Sequence, residues 1–341
     1  MAYLISKENI NALLTSLLAV KTVYAPKKDA EDTVLFQKLG AAAEWHGASL
    51  LTHTTAKDKV YLQSERFFKI KKVKDGVQIE DPAEPEEIVI FGCRPCDARG
   101  FDVINKLFNW SDFVDEYYTK RMAKTTIITI SCEKPESTCF CTSFTKGGPA
   151  NETGSDLLLT PEKDGNYIAE AYSEKGKILV SEYSKLFVEA PATALQEKAA
   201  FKTAAEAKIV KKLDLTAIKK LMEPAFESAY WDTVHLPCVK CGACTFVCPT
   251  CYCFDITEKA FDNMNSERVR SWDTCMSELF SRMAGGVNPR TDTKKRFRQR
   301  FMHKFNYHVD NFKEELCTGC GRCIKACPVS IDIRKVIEGV K

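Results

Sequence analysis

Residues 8–20 space their apolar positions for an amphipathic helix, the first strong periodic signal along the chain. Short β-like runs follow at Lys59–Leu62 and Phe67–Lys71. Two further runs each end in cysteine. Glu87-Ile-Val-Ile-Phe-Gly92 leads into Cys93-Arg-Pro-Cys96-Asp97, and Thr125-Thr-Ile-Ile-Thr-Ile-Ser131 leads into Cys132. Unbroken β-branched runs of this kind predict strands buried on both faces, as in a parallel α/β sheet. Asp97 is placed to cap a helix running to Leu107. Between 146 and 190 the alternating segments Asp156–Thr160, Tyr167–Tyr172 and Lys177–Val180 predict antiparallel hairpins. From Thr193 the composition turns to Ala, Lys, Glu and Leu, a helical linker.

The expected class is α+β. An N-terminal α/β domain over 1–192 carries cysteine loops at its strand ends. A helical linker over 193–230 leads to a C-terminal unit over 231–341. With 341 residues, 45% hydrophobic and 28% charged, the chain can bury an ordinary globular core and needs no disulfide staples. A net charge of +3 is too small to argue for nucleic acid or an anionic membrane. No stretch approaches the ~20 apolar residues of a membrane helix. The N-terminal residues lack the features of a secretory signal, so a cytoplasmic location is expected. In that reducing compartment, 16 cysteines read as metal ligands rather than disulfides.

Eight of them form two motifs. Cys238-Val-Lys-Cys241-Gly-Ala-Cys244-Thr-Phe-Val-Cys248-Pro249 and Cys317-Thr-Gly-Cys320-Gly-Arg-Cys323-Ile-Lys-Ala-Cys327-Pro328 each match C-x2-C-x2-C-x3-C-P. In two-cluster ferredoxins the fourth cysteine of each run ligates the other cluster. Cys238, Cys241, Cys244 and Cys327 are therefore expected to hold one [4Fe–4S] cluster. Cys317, Cys320, Cys323 and Cys248 are expected to hold a second. A cubane needs three thiolates on one tight loop, and Gly242 and Gly321 give that loop its freedom. Zinc, which takes four ligands from two pairs, fits two complete four-cysteine runs poorly. The insert between the motifs, 249–316, is longer than a small ferredoxin requires and is expected to be a substructure of its own.

Cys93, Cys96, Cys132, Cys139 and Cys141 fall after the two cysteine-tipped strands. Loops at the carboxyl ends of parallel strands converge. Cys96, Cys132, Cys139 and Cys141 are thus candidates for a third [4Fe–4S] cluster, with Cys93 nearer the strand and facing the core. Zinc and inert buried thiols are the alternatives. Cys251, Cys253 and Cys275 are expected to pack beside the clusters rather than ligate.

Phe91-Gly-Cys-Arg-Pro-Cys-Asp97, Ser131-Cys-Glu-Lys-Pro-Glu-Ser-Thr-Cys-Phe-Cys141, Val247-Cys-Pro-Thr-Cys-Tyr-Cys-Phe-Asp255, Trp272-Asp-Thr-Cys275 and Ala284-Gly-Gly286 occur in this order. With these motifs the chain resembles the iron–sulfur electron-transfer subunits represented in anaerobic sulfite reductases and by the beta subunit of cytoplasmic sulfhydrogenases. The resemblance implies a relay between a ferredoxin-reductase-like subunit, which binds FAD and NAD(P)H, and a catalytic subunit that differs between complexes. That family more usually has an aliphatic residue at the place of Cys93. The stretch Thr142–Gly148 follows its glycine-rich continuation only loosely.

No G-x-G-x-x-G follows a strand and no G-x-x-x-x-G-K-[ST] occurs, so no flavin or nucleotide site is expected on this chain. The basic run Lys294-Lys-Arg-Phe-Arg-Gln-Arg300 is read as a solvated face or a docking patch for an acidic partner, in preference to a nucleic-acid contact. No paired nucleophile and base is evident, so the chain is expected to carry electrons without bond chemistry. The competing reading is a self-contained reductase whose cysteine loops bind a small substrate.

Overall fold

The computed structural model describes residues 2–47, 51–162 and 164–341. Its strands are β1 (Ala2–Ile5), β2 (Thr22–Lys28), β3 (Val34–Lys38), β4 (Ser64–Val73), β5 (Gly76–Glu80), β6 (Ile88–Cys93), β7 (Asn109–Trp110), β8 (Phe113–Val114), β9 (Thr125–Ile130), β10 (Leu157–Pro161), β11 (Tyr167–Ala171), β12 (Val188–Glu189), β13 (Phe254–Ala260) and β14 (Asn265–Trp272). Eight of them form one sheet in the order β12-β1-β11-β10-β9-β6-β2-β3. Its centre is parallel, β2 beside β6, β6 beside β9 and β9 beside β10. Every residue of β6 and β9 is buried, which is why both read as unbroken apolar and threonine runs. Antiparallel partners close both sides of the sheet.

Helix Lys7–Val20 starts where the Ser6 side chain accepts from Asn9 N–H, and it buries Ile10, Leu13, Leu14 and Leu17. These pack with Val23, Val89, Phe91, Ile128 and Leu159 of the sheet. Because β6 and β9 are parallel neighbours, the loops that follow them leave the same edge. This single relationship brings the Cys93–Cys96 and Cys132–Cys141 segments together.

Local readings differ in three places. Lys59–Leu62 is not a strand: Thr55 caps a 3₁₀ turn over Ala56–Lys59, and Lys57 and Tyr61 turn inward. The helix after β6 runs Pro95–Phe108, with Arg94 at its N-cap and Pro95 in its first turn. Asp97 lies inside that helix and is an ion-pair partner, not its cap. Lys177–Val180 belongs to helix Glu174–Glu182, which Ser173 caps by accepting from Gly176 N–H. The cap outweighs the β-like pattern there.

The insert does not stand alone as expected. Its hairpin, β13 with β14, joins β4 and β5 in a second sheet of order β13-β14-β4-β5, and β14 pairs with β4 from Asn265↔Lys71 to Ser271↔Ser64. The stretch expected as a linker also contributes to a core. Leu213, Leu215, Ile218 and Met222 pack with Trp231, Phe297, Phe301, Phe305, Ile333 and Ile337, and with Phe140 and Phe144 from the β9 side. The cysteine-rich C-terminal third is therefore seated directly on the strand-end loops.

Candidate metal centre

Three cysteine-lined cavities lie along this junction. The first is lined by Cys238, Cys241, Cys244 and Cys327. Cys248, Cys317, Cys320 and Cys323 line the second. The third is lined by Cys96, Cys132, Cys139 and Cys141. Neighbouring cavities share walls: Cys323 and Arg300 line both the first and the second, and Cys320 lines both the second and the third. The order in space is first, second, third. Their empty spaces are about 540, 290 and 380 Å³, solvent-open parts included.

Local backbone makes these walls. Gly242 and Gly321 each begin a one-turn helix at φ +75°, in the left-handed region that disfavours side chains. A Cβ on Gly321 would stand 2.5 Å from Thr138 O, and one on Gly319 would stand 2.6 Å from Cys141 N. The second motif is thus pressed against the Thr138–Cys141 loop, and Phe140 N–H donates to Gly319 O at 2.8 Å. From the other side, Arg99 donates to Cys317 O at 2.5 Å, and Lys57 to Cys251 O at 2.5 Å. Arg322 holds Asp97 through two contacts, at 2.7 and 2.9 Å.

The donor sets fit iron–sulfur cubanes. Burial pushes the Cys139 thiol up to about 12 and the Cys317 thiol up to about 11, so a bound group must displace their protons. Backbone N–H groups already point at sulfur, from Gly319 to Cys317 Sγ at 3.5 Å and from Ile331 to Cys327 Sγ at 3.3 Å. The hydroxyl of Thr318, in the wall of the second cavity, is buried without a partner among the described residues and is free to donate inward. No three His, Cys, Asp or Glu among the described residues are drawn tightly enough for a single metal ion. Zinc, with Zn–S near 2.3 Å, would draw its four sulfurs close around one point, whereas quartets lining open cavities suit a bulkier group.

Buried cations surround the second cavity. Arg296, Arg300 and Lys304 sit four residues apart on one face of helix Thr293–Met302 and the π-helical turn His303–Tyr307 that continues it. The basic run is therefore not the solvated patch the sequence suggested. Arg296 donates to the carbonyls of Cys275, Glu278 and Phe280, and Arg300 to Cys244 O at 2.9 Å and Cys251 Sγ at 3.5 Å. Lys304 reaches Cys248 Sγ at 3.4 Å. A hydrogen bond from Cys251, with Lys304 and Arg300 opposing the effect of burial, holds the Cys248 thiol well below the usual cysteine range. The i, i+4, i+8 spacing of these cations was the sequence signal for an inward face, and a run of positive charge hides it.

The remaining cysteines line none of these three cavities. Cys93 is buried 3.5 Å from Thr129 Oγ1. Cys251 hydrogen-bonds Cys248, and the Cys253 and Cys275 thiols hydrogen-bond each other. The described histidines bring no ligand to the cavities: His235 Nδ1 meets Trp231 O and His308 Nδ1 meets Glu314 O, each at 2.7 Å, while His303 Nε2 meets Tyr252 Oη at 2.8 Å.

Residues 237–331 match the model of a 4Fe-4S dicluster domain, a span that holds both cysteine motifs and the first two cavities' quartets. Over 325 residues the chain is 29% identical to sulfhydrogenase 2 subunit beta of Pyrococcus furiosus, an alignment covering 95% of this chain and 94% of that one. The chain is thus similar to an iron–sulfur subunit and carries a 4Fe-4S dicluster domain. Because the alignment runs nearly end to end, the family resemblance includes the strand-end loops as well as the dicluster domain. No helix among the described residues is long and apolar enough to cross a membrane.

Proposed function

We propose that this chain is an electron-relay subunit of a cytoplasmic, anaerobic oxidoreductase complex. In this reading Cys238, Cys241, Cys244 and Cys327 hold one [4Fe–4S] cluster. Cys317, Cys320, Cys323 and Cys248 hold a second, and Cys96, Cys132, Cys139 and Cys141 a third. Such clusters supply one-electron redox chemistry over a wide range of potentials. The observation that carries the proposal is the series of three cavities, joined through the shared walls at Cys320 and Cys323.

The two ends of the series meet different surroundings. At the first cavity Cys241 is exposed, beside exposed Leu236 and Val239. At the third, Cys132 is half-buried among Arg94, Pro95, Lys134 and Glu136. Each end is suited to meet one partner. The proposed partners are a subunit that oxidises NAD(P)H through a flavin and a catalytic subunit of sulfite reductase, hydrogenase or disulfide reductase type. The sulfhydrogenase relative favours an assembly of this kind. In this reading the present chain carries neither flavin nor nucleotide and performs no bond chemistry.

Iron content and EPR of the anaerobically prepared protein test the reading. Three cubanes require roughly 12 Fe per chain. Cys96→Ser and Cys139→Ser should each remove or alter one EPR signal and leave the other two. Unchanged iron and spectra in both variants would remove the third cluster, and colourless protein holding zinc would remove all three.

A further inference from the structure

The helix that fills the space between the two cysteine motifs turns one charged side chain directly onto a sulfur of the second quartet. Lys304 is 2% exposed. Its ammonium meets Cys248 Sγ at 3.4 Å, Thr250 Oγ1 at 3.3 Å and Leu316 O at 2.7 Å. None of these three is a carboxylate, and the one contact that can carry a negative charge is the Cys248 sulfur. An unpaired buried charge is costly. A protein retains one where a negative group offsets it.

The other buried cations near the cavities are arranged differently. Arg322 is neutralised by the two-pronged contact with Asp97. Arg300 divides its donors between Cys244 O and Cys251 Sγ, straddling the first and second cavities. Lys57 donates to Cys251 O and lies over the Trp272 ring, 3.9 Å from its centroid. Lys304 alone of these four donates to a sulfur of the second quartet. Thr250, whose hydroxyl donates to Leu316 O, keeps its lone pairs toward the ammonium and fixes its direction. The π-helical turn over His303–Tyr307 sets the angle at which Lys304 enters.

We infer that Lys304 is a positioning residue for electron transfer, which raises the reduction potential of the cluster held by Cys248, Cys317, Cys320 and Cys323 above the value its thiolates alone would set. The inference rests on the ligand reading proposed above. A charge-assisted N–H···S bond stabilises the more negative, reduced form of a thiolate-bound centre, so reduction becomes easier. The contact is made to the middle quartet of the series. Lys304 therefore shifts an added electron toward the central position, between the two partner-facing ends.

Potentiometric EPR on the full, anaerobically purified chain tests this. The signal of the middle cluster is first identified as the one altered in Cys317→Ser. In Lys304→Met that signal should persist, with its midpoint lowered by at least the 59 mV that corresponds to a tenfold change in a one-electron equilibrium. The other two midpoints should stay in place. Lys304→Arg, which keeps the charge, should shift less than Lys304→Met. If Lys304→Met loses iron, Lys304→Gln is measured in the same way. An unmoved middle midpoint in the neutral variant, or an equal fall of all three, overturns the inference while leaving the relay intact. Failure of Cys317→Ser to alter any signal would instead sink the ligand reading itself.

Discussion

Asp97 and Arg322 face each other in a two-pronged ion pair, Oδ1 to Nη1 at 2.7 Å and Oδ2 to Nη2 at 2.9 Å, with both side chains buried. Asp97 sits in the first turn of the helix after β6 and Arg322 in the second cysteine motif. Arg322 also donates to Thr52 O and Thr52 Oγ1. The pair joins the strand-end loops to the ferredoxin-like part at the wall between the second and third cavities.

Removing one partner would leave the other charge buried and unmatched. Asp97→Ala should therefore lower stability by about 3–5 kcal/mol, the usual cost of breaking a buried pair. The double variant Asp97→Ala with Arg322→Met should recover a good part of that loss. Urea midpoints of the anaerobic protein provide the measurement. A single variant as stable as the parent would show that the pair does not tie the two parts together.

Gly319 holds φ +68°, and a Cβ there would lie 2.6 Å from the Cys141 backbone nitrogen. Backbone on both sides of the contact has little room to give. Gly319→Ala should cost about 1–3 kcal/mol in backbone strain. It should also push the Cys139–Cys141 loop away from the second motif, so the EPR signal assigned to the third cluster should weaken first. Unchanged melting temperature and spectra in this variant would count against the close docking of the two loops.

Much of this arrangement is legible before any coordinates. The two motifs declare their quartets through local spacing alone, and the cysteine-tipped strands β6 and β9 announce a shared sheet edge by their unbroken burial. What is hidden depends on partners far away in sequence. Nothing in Phe254–Trp272 says that β14 will pair with β4, nearly two hundred residues earlier. The run Lys294–Arg300 looks like surface because charge usually seeks water. It turns inward because carbonyls and sulfur of the cysteine loops there need donors. Asp97 fails as a cap for the same reason, since Arg322 claims it.

Cys253 and Cys275 pair with each other at the base of the β13–β14 hairpin and line none of the three cavities. Replacement of either by serine should leave iron per chain at the parent value and preserve all three EPR signals. The expected loss is the modest one of a buried thiol contact. A drop of about four Fe per chain in either variant would assign these thiols to a cluster and force a revised ligand set.

His303 gives the chain a pH signature that does not depend on the cysteines. Burial lowers its pKa from the usual 6.5 to about 3, helped by the positive charges of Lys304, His308, Arg290 and Arg300. The folded state thus favours the neutral ring, which pairs with the Tyr252 hydroxyl at 2.8 Å. The unfolded chain protonates near 6.5, so this contribution to stability is complete above that value. It is lost progressively as pH falls from 6.5 toward 3. At about 1.4 kcal/mol per pKa unit the total loss is on the order of a few kcal/mol. Carboxylates titrate mainly below pH 5, so the window between 6.5 and 5 belongs to histidines, His308 among them, whose pKa burial also lowers. His303→Gln should have a flatter melting-temperature profile across that window than the parent. Parallel profiles would mean that the ring already carries its proton in the folded protein.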